Sequence, residues 1–259
     1  MLALKLGLSL PTIKAVGGAA GYENKYSLDF DGVDDFVNLG NNASLRPAVS
    51  GGVSLSLWCK WADITTATSR IFSVSSNASS YNGLSCSKNS SGYISMNTGD
   101  GTGFGSSTRR SLQTNSVAVS NNTWHHIVFV WTNETSSSWK IYVDDSDILS
   151  STSGTGGVNV YTTDDAFIGK RITGPTTYAN GNMDELSFWD KALSGAEVTA
   201  IYNSGVPTDL SGESNLIGYW RNGDTAGTSV YPTIEDYSSN SNDGTMTNMA
   251  SGDIVTDVP

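Results

Sequence analysis

The sequence predicts an all-β fold, a sandwich or barrel of antiparallel strands with one short helix. Three observations lead to this prediction. From Tyr26 onward, short segments of alternating apolar and polar residues are separated by clusters of Ser, Thr, Asn and Gly. Only residues 194–202 have a convincing helical pattern. No repeat of the length that is typical of solenoids or propellers is visible in the 259 residues.

The first ten residues alternate strictly between leucines and other side chains. The apolar positions are Leu2, Leu4, Leu6, Leu8 and Leu10. This period of two is typical of a half-buried β-strand, because successive side chains point to opposite faces. A secretory signal has a continuous apolar run behind its positive charge, whereas Lys5 lies inside this segment. We therefore interpret residues 1–25 as a β-strand arm with a glycine-rich connector, and not as an export signal.

Several segments of the main body are predicted strands. Alternate residues from Val53 to Trp61 are apolar and share one face. Residues 124–131 are apolar on both faces apart from His125 and His126, which indicates a central strand covered on both sides. Further strands are predicted at 139–143, 167–170 and 183–189. We interpret the Ser/Thr/Asn-rich stretches near residues 73–80 and 102–116 as long loops.

The helical segment has recognisable start and stop signals. Ser194 and Glu197 have the spacing of a capping box, in which each side chain bonds the other residue's backbone N–H. Gly205 and Pro207 then indicate where the helix ends.

Composition excludes several classes of partner and site. The net charge is −11, with 14 basic against 25 acidic residues and no basic run, which argues against nucleic acid and anionic membranes. No stretch is apolar enough to insert into a membrane as a helix. The two cysteines, Cys59 and Cys86, provide neither a disulfide framework nor metal-ligand spacing, although they could pair with each other.

Patterns typical of catalysis are missing from the sequence. It has no Gly-x-Ser-x-Gly elbow and no glycine-rich phosphate loop. Asp184 and Glu185 are adjacent, and adjacent strand residues point to opposite faces, so they should not flank one glycosidic bond together. We expect a protein that is not an enzyme.

Several motifs, in order, resemble one known family. The segments are 26–40 (YSLDFDGVDDFVNLG), 122–130 (NTWHHIVFV), 140–144 (KIYVD), 167–170 (FIGK), 181–189 (GNMDELSFW) and 192–198 (ALSGAEV). Together they resemble laminin G-like, concanavalin A-like lectin domains over about residues 26–206. The resemblance implies a jelly roll of two antiparallel sheets packed face to face, with one sheet concave and ligand sites commonly at the rim loops.

The C-terminal part departs from the family pattern. Segments 216–220 (LIGYW) and 236–245 (DYSSNSNDGT) resemble a piece that usually opens such a domain, but here they follow the helix. They either complete the sandwich from its other end or are the remnant of a second repeat. About forty residues cannot close a second domain, so we favour one jelly roll over residues 26–259, with 207–259 completing it.

The alternation within 183–189 also predicts an unusual buried carboxylate. Asp184 shares its strand face with Leu186 and Phe188, so it should point toward the core and need hydrogen bonds or a cation. The resemblance implies a structural calcium ion there. The matching oxygen donors would be Asp31, Asp34, Asp184, Asp236 and Asn242. The alternative is that Asp31, Asp34 and Asp236 only form Asx turns beside glycines.

Histidine and tryptophan side chains have both functional and packing interpretations. His125 and His126 diverge on a strand and should not ligate one ion, and the resemblance implies that they pack. Trp58 and Trp131 would stack on sugars if they faced a concave groove, although aromatic residues in sandwiches usually belong to the core.

The arm suggests a function. Jelly rolls with short arms resemble surface proteins of tailed bacteriophages that are presumed to touch host glycans. An exposed alternating strand can add to a neighbouring subunit. We therefore expect a non-enzymatic protein on the virion surface, anchored to virion subunits as a homo-oligomer or part of a larger assembly, and binding cell-surface glycans weakly. The alternative is a free bacterial carbohydrate-binding or adhesion module, extracellular or on the cell surface. A glycoside hydrolase is a third, weaker interpretation.

Overall fold

The computed structural model describes residues 22–74, 82–103, 105–132, 138–156, 161–171, 177–224 and 231–259. These residues form two antiparallel sheets with one short α-helix, which confirms the predicted fold class. The predicted arm, with Leu2 to Leu10, lies outside the described residues.

One sheet has eight strands in the described part of the chain. In spatial order, seven of them are β10 (Ser146–Asp147), β9 (Lys140–Val143), β8 (His125–Trp131), β3 (Val53–Lys60), β13 (Asn180–Trp189), β1 (Ser27–Asp31) and β17 (Ile254–Val255). The eighth strand, β14 (Leu216–Trp220), pairs with the second half of β13, whereas β1 pairs with its first half. A gap therefore separates β1 from β14 along the same edge of β13.

The other sheet has nine strands among the described residues. In order they are β11 (Ser150–Ser153), β7 (Arg109–Thr114), β6 (Ile94–Gly99), β5 (Leu84–Lys88), β4 (Ser69–Val74), β12 (Ala166–Ile168), β2 (Phe36–Gly40), β16 (Gly244–Thr247) and β15 (Thr233–Ile234). The stretch near 102–116 is therefore not entirely a loop, because β7 occupies its second half. Leu112 faces the core between the polar residues Ser111 and Gln113, which is a strand pattern within a composition that is typical of loops.

Alternate residues from both sheets form one core between them. Leu55 and Leu57 of β3 are fully buried there, as the sequence predicts, and so are Cys86 and Met96 of the other sheet. The rings of Phe72 and Phe188 meet across the two sheets, with centroids 5.1 Å apart. The two cysteines are both buried and free.

A second apolar cluster covers the outer face of the eight-stranded sheet. Helix α1 (Gly195–Tyr202) packs Val198 and Ile201 against Val128 and Val130 of β8. The predicted capping box is confirmed, since Ser194 accepts the backbone N–H of Glu197 and the Glu197 side chain accepts that of Ser194. Strand β8 is thus buried on both faces, as its sequence indicates. Among the described residues, no helix has the length and apolar character needed to span a bilayer.

The last part of the chain contributes to both sheets. Strand β14 extends the eight-stranded sheet and β16 pairs with β2 in the other. Trp220, Ile234 and Met246 from this part are buried in the core between the sheets. Strands β14, β15, β16 and β17 of this part are therefore paired into the same two sheets as the strands that precede the helix.

Candidate functional site

A broad polar surface covers the outer face of the nine-stranded sheet. Cys86, Met96 and Leu112 point into the core from β5, β6 and β7. Because side chains alternate along a strand, their neighbours point outward. These outward neighbours are Ser85, Ser87, Ser95, Asn97, Ser111 and Gln113. The outer face of the nine-stranded sheet therefore carries hydroxyl and amide side chains on β5, β6 and β7.

The strand register aligns these side chains in cross-strand rows. One row runs through Arg70, Ser87, Ser95, Gln113 and Ser151, which lie opposite one another on β4, β5, β6, β7 and β11. A second row contains Asn97, Ser111 and Ser153. The Oγ atoms of Ser87 and Ser95 are 3.1 Å apart, and those of Ser111 and Ser153 are 2.6 Å apart. The rows therefore present linked hydroxyl groups.

The rows form the floor of a groove of about 410 Å³, which we call the polar groove. Its lining residues are Thr68, Arg70, Ser87, Ser95, Asn97, Arg109, Ser111, Gln113, Asn115, Ser151, Thr152, Ser153 and Arg171. A concave site lined by hydroxyls, amides and guanidinium groups can hydrogen-bond a ligand that is itself rich in hydroxyl groups. Among the described residues that line the groove, none is acidic.

An aromatic cluster lies farther along the same sheet, on β2 and β12. Phe36 and Phe167 pack edge to face, with ring centroids 5.6 Å apart. The Nζ of Lys170 lies 3.8 Å from the centroid of Phe36, 5.0 Å from that of Phe167 and 6.0 Å from that of Tyr178. Burial lowers the pKa of Lys170 from its ordinary value. Lys170 immediately precedes Arg171, and so connects this cluster to the polar groove.

The predicted calcium ligands do not converge on one site. Asp31 and Asp34 lie together with Asp35, which was not among the predicted ligands. The carboxylate oxygens of the three residues lie within 4.8 Å of one another. The Asp31 Oδ1 also accepts the backbone N–H groups of Val33 (2.7 Å) and Asp34 (3.3 Å), as in an Asx turn. Burial raises the pKa of Asp35 to about 6. This trio offers oxygen ligands that suit calcium, and a bound ion there stays a prediction.

Asp236 and Asn242 belong to a separate turn. The two carboxylate oxygens of Asp236 accept the backbone N–H groups of Tyr219, Ser238 and Asn242, and the hydroxyl of Ser238. Asn242 contacts Ser44 and the carbonyl oxygen of Ile217. These contacts are those of the Asx-turn alternative, and they hold the C-terminal part against β14.

Asp184 is fully buried, as predicted, but on the opposite face. The strand register shifts between Asp184 and Ser187, where Glu185 has a left-handed φ of 49°. This β-bulge adds one residue, so Leu186 and Phe188 face the core, whereas Asp184 lies opposite Trp58 on the outer face. The predicted orientation of Asp184 toward the core was therefore wrong, because it assumed an uninterrupted alternation.

The bulge also places Glu185 beside Asp184 in a buried polar cluster at the gap between β1 and β14. Asn24 Nδ2 donates to Asp184 (2.9 Å), while Tyr219 Oη and Arg221 Nε donate to Glu185. Burial raises the pKa of Asp184 well above its ordinary value and that of Glu185 to about 7. The prediction that these carboxylates diverge was also wrong, although both are enclosed by protein.

Residues 22–25, which we assigned to the connector, pack against this cluster. The backbone N–H of Lys25 donates to both carboxylate oxygens of Asp224, at 3.0 and 2.8 Å. Arg221 Nη2 donates to Asp224 (3.3 Å) and to the carbonyl oxygen of Glu23 (2.8 Å). The carboxylates around the bulge therefore receive hydrogen bonds from residues 24 and 25 and an ion-pair partner, Arg221, from the C-terminal part of the chain.

The predicted sugar-stacking tryptophans have buried rings. Trp58 is 4% exposed and packs against His126 and Tyr202 on the helix side of its sheet. Trp131 is fully buried in the core beside Phe129. Neither ring lies in the polar groove.

The two histidines diverge as predicted. His125 contacts the Asp144 carboxylate through Nδ1 at 2.6 Å. His126 Nε2 lies 2.7 Å from the Ser56 hydroxyl, and burial lowers the pKa of His126 to about 4.

The sequence contains a signal for the polar groove that our interpretation missed. In β5, β6 and β7, Ser, Asn and Gln alternate with apolar residues, as in Ser85-Cys86-Ser87 and Ser95-Met96-Asn97. Small polar residues on one face of several consecutive strands indicate a sheet face that no other layer covers. Which strands are neighbours, and therefore which side chains share a row, follows only from the register.

The chain resembles solved carbohydrate-binding and laminin structures. A Bacteroides ovatus protein, provisionally described as carbohydrate binding, is 15% identical with a TM-score of 0.54; the match covers 90% of this chain and 58% of that one. A module of a Ruminococcus gnavus sialidase, solved with α2,3-sialyllactose, is 13% identical with a TM-score of 0.50, covering 68% and 96%. Domains LG4-5 of the mouse laminin α1 chain are 12% identical with a TM-score of 0.45, covering 66% and 45%.

At these low identities, the matches with TM-scores of 0.54 and 0.50 show a shared fold and nothing more. No curated protein sequence matches the chain. The family model of the concanavalin A-like lectin/glucanases superfamily matches residues 31–199, which is more than half of the 259 residues. The chain therefore belongs to the concanavalin A-like lectin/glucanases superfamily.

Proposed function

We propose that this chain is a non-catalytic carbohydrate-binding module whose binding surface is the polar groove. The observation that carries the proposal is the pair of cross-strand rows of hydroxyl and amide groups on the groove floor. Sugars present many hydroxyl groups, and each can donate to or accept from Ser, Asn or Gln side chains. The family supports the proposal in general terms, as do the two solved structures with carbohydrate in their descriptions.

The test is a binding measurement on groove variants. The purified chain is first screened on a glycan array, and the best ligand is then titrated calorimetrically. We expect the double variant Asn97→Ala, Gln113→Ala to bind about tenfold or more weakly, because about 1 kcal/mol is lost for each hydrogen-bonding side chain removed. Asn41→Ala is the matched control, because Asn41 is exposed and outside the groove.

Two results would contradict binding in the groove. One is a double variant that binds as tightly as the unmodified chain. The other is an array on which no glycan retains the chain. Catalysis is tested separately by incubating the chain with the bound glycan and measuring new reducing ends. Release of reducing sugar above a heat-inactivated control would contradict the non-catalytic part of the proposal.

The proposed setting is the surface of a virion, with residues 1–21 holding the module to neighbouring subunits. The alternation of Leu2 to Leu10 supports this anchoring role, since such a strand can extend a neighbour's sheet. We expect the full chain to co-sediment with particles at a fixed ratio to the shell protein. A variant lacking residues 1–21 should fold but stay unbound. A full chain that stays at the top of the gradient would favour the alternative, a free bacterial adhesion module.

A structural calcium ion is the remaining part of the proposal, with Asp31, Asp34 and Asp35 as its carboxylate ligands. Calcium binding to the folded state would raise the melting temperature, since a ligand that binds only the folded chain stabilises it. We expect this rise to disappear in Asp34→Asn. An unchanged melting temperature in millimolar calcium would contradict the site.

A further inference from the structure

We propose that the ligand of the polar groove is an acidic glycan, a sugar chain that bears carboxylate groups. This inference rests on the proposed function and adds the chemical class of the ligand. It is carried by the charges that line the groove.

The charged side chains that line the groove are all cations, although the chain as a whole is acidic. The chain has six arginines and a net charge of −11. Three of the six, Arg70, Arg109 and Arg171, line the polar groove, and none of its other lining residues is charged. A concave site lined by one sign of charge focuses the electrostatic field and attracts ligands of opposite charge. A neutral glycan would need no such concentration of cations.

The chemistry of arginine suits a carboxylate. The guanidinium group is planar and presents a fork of N–H donors that matches the two oxygens of a carboxylate. The guanidinium group of Arg70 is held in direction, because its Nε donates to the Thr177 hydroxyl at 2.8 Å. An oriented guanidinium loses less freedom on binding than a mobile lysine would.

The positions of the arginines indicate a ligand longer than one sugar. Arg70 lies on β4 and Arg109 on β7, with β5 and β6 between them. Three inter-strand spacings correspond to roughly 14 Å across the sheet. Arg70 lies opposite Ser87, at one end of the row of hydroxyls, whereas Arg109 lies opposite Gly99. A chain with several acidic sugars can therefore reach both arginines while its hydroxyls meet the rows between them.

The experiment compares polymers that carry carboxylates, sulfates or no charge, and it includes one polymer with and without its carboxylate charges. The full chain is run in affinity gels containing polygalacturonate, the fully methyl-esterified form of the same polymer, alginate, polysialic acid, dextran sulfate or dextran. We expect retardation by at least one carboxylated polymer and none by the methyl ester. Raising the salt from low to high concentration should weaken the binding, because exposed charges are screened.

Variants assign the effect to the groove. Arg70→Gln and Arg109→Gln should each weaken binding about tenfold, while Arg46→Gln, which removes the same charge outside the groove, should leave it unchanged. Arg70→Lys keeps the charge but loses the fork, and we expect it to bind more weakly than the unmodified chain but more tightly than Arg70→Gln. Melting temperatures of all variants show whether each one is folded.

The outcomes separate this inference from the proposed function. Binding of a neutral glycan that Asn97→Ala, Gln113→Ala abolishes, with Arg70→Gln and Arg109→Gln unaffected, would overturn the acidic ligand and leave the module intact. Stronger retardation by dextran sulfate than by every carboxylated polymer would overturn the carboxylate assignment. If the chain binds no glycan, charged or neutral, both the acidic ligand and the proposed carbohydrate-binding function would be overturned.

Discussion

At the scale of single residues, the charged side chains that are buried around the bulge in β13 affect the stability of the fold. Asp184 and Glu185 are 0% and 4% exposed, and Arg221 and Asp224 are buried with them. An ionised carboxylate in such a place must be paired, because an uncompensated buried charge is very costly. Arg221 bridges Glu185 and Asp224, so one cation serves two of the three buried carboxylates. The third, Asp184, is held by Asn24 and by the backbone of Glu185.

This cluster predicts a pH-dependent stability. The pKa of Glu185 is raised from 4.5 to about 7, mainly by burial. Between these values the folded chain keeps a proton that the unfolded chain has released. The free energy of unfolding should therefore fall as the pH rises from about 4.5 to 7. Asp184 and Asp224, whose pKa values are also raised by burial, act in the same direction.

Glu185→Gln should reduce this fall in the free energy of unfolding by up to about 3 kcal/mol, the order of magnitude that corresponds to the shift in the Glu185 pKa. The measurement is urea unfolding at several pH values between 4.5 and 8. Glu235→Gln is the control, because Glu235 is exposed and outside the cluster. A pH dependence that is equally steep in Glu185→Gln and in the unmodified chain would show that Glu185 is ionised throughout this range.

At the scale of elements, local patterns were predicted well wherever the chain follows one period. The apolar face of β3, the doubly buried β8 and the cap of α1 all follow from neighbouring residues. The bulge in β13 could not be predicted, since it depends on β3 pairing on one side while β1 and β14 divide the other. One inserted residue reverses the face of every side chain beyond it.

The helix cap is a direct test at this scale. Ser194→Ala removes the hydroxyl that accepts the Glu197 N–H, and we expect it to lower the free energy of unfolding by about 1 kcal/mol. Ser194→Gly should lower the free energy of unfolding by only about a few tenths of 1 kcal/mol, because glycine is itself favourable at the N-cap position. Denaturant titrations of both variants provide the comparison. Equal losses in the two variants would indicate that helix capping is not what Ser194 contributes.

At the scale of the whole molecule, strands from distant parts of the chain complete both sheets. Residues 245–247 pair with residues 36–38, and residues 254–255 pair with residues 27–28. Asp257, near the end of the chain, also contacts Lys60, and its backbone carbonyl oxygen accepts a hydrogen bond from the hydroxyl of Ser27. The polar groove and the buried cluster lie on different sheets, so they can be altered independently.

Deleting residues 207–259 should therefore abolish cooperative unfolding. The deletion exposes the core around Trp220, Ile234 and Met246, and each such side chain contributes about 1.5–3 kcal/mol through burial. Their sum is comparable with the total stability of a typical domain. The matched control, a deletion of residues 1–21, should unfold cooperatively. A cooperative transition in the 207–259 deletion would instead support the remnant of a second repeat.

The fold class, most strand faces, the helix and its cap could all be predicted from the sequence, because each depends on side chains a few residues apart. It did not determine which polar residues would share a surface. The rows of the groove and the concentration of Arg70, Arg109 and Arg171 exist only because distant strands are paired in one register. The burial of Trp58 likewise depends on the helix that covers its sheet. Tertiary pairing therefore decided where the binding surface lies, since both the neighbours of a strand and the layer that covers it are non-local.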